Sequence, residues 1–342
     1  MGISYKLLKT IPIPPKSPEN FDFGWVDPIS QRFYLCDRDN ACVDVIDAAH
    51  DSYITTIHGF CGVVEPRSAH ISGPNGLDGD HNMNQLWVGD GDSSVRVADM
   101  NENRIIATVR TSGRAHVDLL GYDPRDKLIC ACNASDNPPF VSFISTKDFE
   151  VVGKLTYATA KKMEEPLWNA RTNKFYLSLP ETAINPGGEI AVIDPISMNV
   201  TDVIPLTNSG VDGIAFDSDY KHLMLPCGTK LIMNGLTKAR TDIMDVSTGE
   251  IIQTITEVGG SDQSCYNPGD NRYYIAASGM TSDGTNKGTQ NPVLGVIDAK
   301  TNEWLVNVPT GRGAKAVAVN PKNNHVFVPL GGLGVGVFAE VK

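Results

Sequence analysis

Along most of the 342 residues, short apolar runs alternate with polar turns, with no convincing amphipathic helix between them. The runs recur as one phrase. "GIAFDSDYKHLMLP" (213–226), "LLGYDPRDKLICAC" (119–132), "PLWNARTNKFYLSL" (166–179) and "GWVDPISQRFYLCD" (24–37) lie under one another. "SCYNPGDNRYYIAA" (264–277) and "AVAVNPKNNHVFVP" (316–329) follow the same plan, and "NGLDGDHNMNQLWVG" (75–89) is a looser seventh copy. Each copy is an apolar run, a turn with Asp or Asn and often Pro, and a second β-rich run. After most copies comes a further phrase, such as "VRVADMNENRIIATV" or "LGVIDAKTNEWLVNV", which reads as two strands joined by a polar hairpin turn. Four strands repeated seven times predict an all-β chain, a single domain over residues 1–342 built as a seven-bladed β-propeller of four-stranded antiparallel blades.

The residue at the start of each first strand can be marked in register: Asp22, Asn75, Asp118, Glu164, Asp212, Asp262 and Lys315, spaced by 43 to 53 residues. Running from Lys315 through both chain ends to Asp22 takes 49 residues, so the repeat closes on itself. The last copy lacks a fourth strand, and "SYKLLKTIPI" supplies one. The N-terminal strand, about residues 3–13, is expected to complete the blade formed by 313–342. Pairing the two ends leaves no free sheet edge across the ring.

The stretch "VIDAKTNEWLVNVPTGRGAKAVAVNPKNNHVFV" is similar to the YVTN-type repeat of seven-bladed propellers, and "SGPNGLDGD" (72–80) resembles the first-strand start of gluconolactonase-like propellers. The resemblance covers nearly the whole chain and implies the fold rather than an activity. The relatives it implies include lactonases, lyases and plain binding scaffolds. The Trp–Asp repeat ends of WD40 propellers and the glycine pairs of kelch repeats are absent, so the docking roles of those families do not carry over.

The net charge of −11, with no Lys/Arg cluster, speaks against a nucleic-acid or anionic-membrane surface. No apolar run approaches the roughly 20 residues of a spanning helix. The first residues, "MGISYKLLKTIPIPPKSPENF", have no apolar signal core, and the seven cysteines show no CxxC pair, so a cytoplasmic protein with reduced thiols is expected. Cys130 and Cys132 are expected to pack in a strand, and Cys265 to face the core. The expected assembly is a monomer, with a weak homodimer as the alternative.

In a propeller, the loops that lead into the first strand and those that join the second to the third share one face. That face carries "HGFCGVVEPRSAHISG" (58–73), "NASDNPPF" (133–140), "PETAINPGGE" (180–189), "CGTKLIMNGLTKART" (227–241) and "SGMTSDGTNKGTQNP" (278–292), whereas the opposite turns are short. Long irregular loops on one rim of a rigid scaffold mark a functional surface. The seven marked residues lie at the channel mouth on that face. Five are carboxylates, and like charges converging on a funnel raise one another's pKa unless a cation compensates. Lys315 offers one charge, with Arg114, Arg312, Lys161 and Lys162 close in sequence. A divalent Ca, Mg or Mn ion is the other compensation, on Asp22, Glu164 and Asp212. No organic cofactor motif is present. A polar channel that simply holds water is the plain structural reading of the same ring.

Among the histidines, His50, His81, His222 and His325 fall on the far face, and His58, His70 and His116 on the loop face. His116, two residues before Asp118, is the sharpest candidate base. Catalytic roles are therefore expected for His116, Asp118, Asp212 and Lys315, and substrate contacts for Asn75, His70, Arg114, Arg312 and Asp262. Arg67 is a further candidate anion clamp. The leading functional reading is an enzyme for a small organic substrate, using metal-assisted lactone hydrolysis, elimination or isomerisation. The alternatives are a metal-independent cyclase or pericyclase of secondary metabolism, of the Diels–Alderase type, and a non-catalytic scaffold for a ligand or protein.

Overall fold

Each repeat phrase folds as two strands because its Asp or Asn closes the turn between them. The side-chain oxygen accepts backbone N–H groups two residues on: Asp27 from Ile29 (3.0 Å), Asp123 from Arg125 (2.8 Å), Asn169 from Arg171 (2.9 Å) and Asn320 from Lys322 (3.0 Å). The second phrase uses the same device at Asp47, Asp99, Asp194, Asp245 and Asp298. In six blades the third and fourth strands also share a register shift at the same point, for example Val45/Ile46 and Val296/Ile297, which bends the outer edge.

The structure, a computed structural model, describes residues 3–65 and 68–341. Arg67 lies outside the described residues. Seven four-stranded antiparallel sheets run in sequence order around a channel. Their innermost strands are Phe21–Asp27, Leu77–Asp80, Leu120–Asp123, Pro166–Asn169, Ala215–Phe216, Ser264–Asn267 and Ala318–Asn320. The N-terminal strand Tyr5–Ile11 pairs with the C-terminal strand Gly334–Glu340 as the outer edge of the seventh sheet. Both ends of the chain thus close the ring in one ladder, and no sheet is left with an unpaired edge towards a neighbour.

The core lies between the blades. Cys130, Phe143, Phe175 and Leu177 fill the layer between the third and fourth sheets. Trp87, Val97, Tyr122 and Ile129 fill the layer between the second and third. Burying such side chains contributes roughly 1.5–3 kcal/mol each. Cys130 and Cys132 are fully buried, as their strand position suggests, whereas Cys265 is half-buried. Where innermost strands meet, glycine is required: a Cβ on Gly121 would stand 1.8 Å from the Pro166 carbonyl oxygen, and one on Gly213 would stand 2.5 Å from that of Asp262. Among the described residues, no helix is long and apolar enough to cross a membrane.

Candidate active site

The loops around the start of the innermost strands enclose a funnel of about 730 Å³. Asp22, Asp118, Glu164, Asp212, Asp262 and Lys315 all line it, together with His70 and His116. Two of the loops are locally ordered: Ala160–Lys162 pairs with Glu181–Thr182, and Thr229–Met233 forms one helical turn that brings Lys230 to the rim. Asn75 is fully buried behind the wall, where its amide donates to the Val117 carbonyl (3.0 Å) and its oxygen accepts from Arg38 Nε (2.9 Å). Arg114 and Arg312 are exposed and do not line the funnel.

The ring is organised by cations, one of which the repeat does not reveal. Arg38, at the end of the second strand of the first blade, reaches Asp22 and Asn75. Lys315 Nζ lies 3.0 Å from Asp22 and 3.2 Å from Asp262. Lys162 Nζ lies 2.6 Å from Asp212 and also contacts Glu164. His116 Nδ1 donates to the Ala69 carbonyl oxygen at 2.6 Å, which turns Nε2 towards Asp118 at 3.4 Å. His116 Nε2 is buried without a hydrogen-bond partner among the described residues, so Asp118 acts on it mainly through charge. His70 bonds Ser135 (2.7 Å) and stands 6.1 Å from the His116 ring.

These contacts set the protonation states. Burial opposes the His116 charge, but Asp118 outweighs it and raises the imidazole above its ordinary range. Burial likewise opposes the Asp118 charge, yet His116 and then Arg38 hold that carboxyl at about 2. Lys162 is a single ammonium between two acids. Burial pushes Asp212 up, Lys162 pulls it back and Asp262 repels it, leaving it at about 6. Burial raises Glu164 further, since the pull of Lys162 is met by repulsion from Asp212 and Asp118. The Glu164 carboxyl is thus pushed well above the ordinary carboxylate range. Arg38, Lys162, Lys315 and His116 lie against Asp22, Asp118, Glu164, Asp212 and Asp262.

Each ring acid therefore has a basic protein group beside it. Asp22 belongs to Arg38 and Lys315, whereas Glu164 and Asp212 belong to Lys162. The trio Asp22, Glu164 and Asp212 is not among the described clusters whose ligand atoms all fall within 4.8 Å of one another; those are Asp37–Cys42–Asp44 and Cys61–Asp90–Asp92. On the far face, histidines serve the turns: His81 meets Asp27 at 2.6 Å and His325 meets Asp51 at 3.0 Å.

Fold and site together define a seven-bladed β-propeller with a charged funnel at one mouth. No protein-family model matches the chain, and no curated protein matches it in sequence. Among solved structures it is similar to the hydrazine synthase of Kuenenia stuttgartiensis, with a TM-score of 0.71, 14% identity and 99% of each chain covered. At that identity the likeness shows the propeller fold alone.

Proposed function

We propose that the funnel is the active site of an enzyme that moves a proton on a small carbonyl compound, giving isomerisation or elimination without a metal ion. The carrying observation is the Lys162 ammonium set between Glu164 and Asp212 on the funnel wall. Two acids whose surroundings push their pKa values apart form an acid–base pair. Asp212, ionised near neutral pH, removes a proton from the carbon next to the carbonyl. Glu164 and Lys162 donate hydrogen bonds to the oxygen as the carbon–hydrogen electron pair delocalises onto it. Return of the proton to another carbon completes an isomerisation, and departure of a β-substituent with the electron pair completes an elimination. Lys162 supplies the charge that a Lewis acid supplies elsewhere, and Lys315 and Asp262 contact the rest of the substrate. The lactonase-like repeat is compatible with a carbonyl substrate. The seven unpaired cysteines support a reducing, cytoplasmic setting.

The test starts from a thermal-shift screen of lactones and conjugated ketones. Stabilising compounds are then incubated with the protein in D2O, and deuterium uptake beside the carbonyl is read by mass spectrometry. Uptake that survives EDTA and is lost in D212N supports the reading. Uptake that persists in D212N contradicts it, and uptake lost to EDTA and restored by Mg²⁺ or Ca²⁺ returns the site to metal assistance. A cyclase sharing these residues would convert substrate with no deuterium uptake.

A further inference from the structure

The channel has a second cavity at the end remote from the ring, about 600 Å³ in volume, within the size range of small-molecule sites. Its walls are Trp25, Leu167, Trp168, Phe216, Tyr220 and Tyr266. The wall rings are held from behind by others. Trp25 stacks on Tyr34 (6.0 Å), and Trp168 meets Phe175 edge-on at 5.1 Å. Phe216 meets Tyr176 at 5.2 Å, and Tyr266 meets Tyr273 at 5.6 Å. Such a wall is preformed, so a ligand need not order it.

Two polar groups face this apolar space. One Glu165 carboxyl oxygen accepts from the Ile214 N–H at 2.8 Å. Burial pushes Glu165 up to about 8, beyond what the Ile214 bond offsets, so near neutral pH it holds a proton to donate. The Ser264 residue is 3% exposed, and its hydroxyl has no hydrogen-bond partner among the described residues. A buried hydroxyl left unpaired is costly, and a ligand acceptor relieves that cost. Among the described residues no Lys or Arg lines the cavity, and Asp217 does, which disfavours an anionic occupant. Gln263 separates this space from the funnel. Its amide donates to the Gly24 carbonyl (2.8 Å), and its oxygen accepts from the N–H groups of Gly24 (3.2 Å) and Val317 (3.1 Å).

We infer that this cavity is a second ligand site, for a flat, uncharged, fused-ring molecule whose carbonyl oxygen accepts hydrogen bonds from Glu165 and Ser264. Nile red, a neutral fused-ring carbonyl dye, is the probe, and its fluorescence rise is the readout. The wild type is expected to bind one equivalent. Replacing the exposed Ser218 at the cavity mouth (S218W) blocks access without touching the core, and binding is expected to be lost. E165L is expected to weaken binding about tenfold, whereas E165Q, which still donates, retains it. The funnel variants H116A and K162M are expected to bind the dye as the wild type does. No binding, equal binding by S218W and E165L, or loss in H116A and K162M would each overturn the assignment. So would a dimer in light scattering that S218W converts to monomer, since the cavity would then belong to a second copy.

Discussion

Glu164 and Glu165 are chain neighbours, yet they face opposite ends of one channel. Glu164 meets Lys162 in a funnel of paired charges, and Glu165 sits among aromatic rings with no cation. Residues just before an innermost strand divide between the two ends: Asp262 lines the funnel and Gln263 the remote cavity, and Asp212 and Ile214 divide likewise. A propeller channel can thus carry two unlike chemistries a few residues apart in sequence. In the funnel, the acids lie against protein cations; at the other end, Glu165 sits among aromatic rings and burial pushes its carboxyl up to about 8.

The sharpest way to break this contrast is at Asp212. D212N is expected to lower deuterium exchange at least about 100-fold while leaving Nile red binding intact. Next in size is the loss of a central cation. K162M leaves two buried acids without their partner and is expected to cost about 3 kcal/mol near neutral pH, measured by urea unfolding.

The effect of Asp212 on stability has the opposite sign. Its folded value of about 6 lies above the ordinary 3.8, so the folded state binds more protons between those values and stability falls as pH rises through them. D212N is expected to gain on the wild type across that window, by on the order of 2–3 kcal/mol. The difference should close below about pH 4. Equal stability at both ends of the window would show that Asp212 is not a strained acid.

A smaller effect is expected at His116. Its resonances should titrate above 6.5, and D118N should lower that value by about one unit or more. The smallest is at Arg114 and Arg312, which do not line the funnel. Alanine at either should change ligand affinity less than about twofold.

The seven blades were legible because an Asx turn recurs in six of the copies, with Asp217 at the same position in the other, and the copies could be aligned from it. The same alignment marked the residues at the channel mouth, and six of them line the funnel. Their partners were legible only in part: Lys315 and Lys162 stood out as nearby cations, but Arg38 and the pairings themselves did not. Arg38 reaches Asp22 from the end of a different strand, and Lys162 joins residues 164 and 212 of neighbouring blades. A linear repeat sets register along each strand but says nothing about pairing around the ring. Asn75 shares the register yet turns into the wall, because the looser second blade leaves it bonded to Val117 and Arg38. The remote cavity left no motif, since it is assembled from short stretches of five blades.

The central claim is that an unaided protein holds Glu164 protonated and Asp212 ionised around one lysine. Carboxyl ¹³C titration of the metal-free chain, assigned with E164Q and D212N, tests it most directly. The account predicts that Asp212 titrates at about 6 and that Glu164 is still protonated at neutral pH. Finding both ionised at neutral pH, with resonances that shift on adding Ca²⁺ or Mg²⁺, would contradict it.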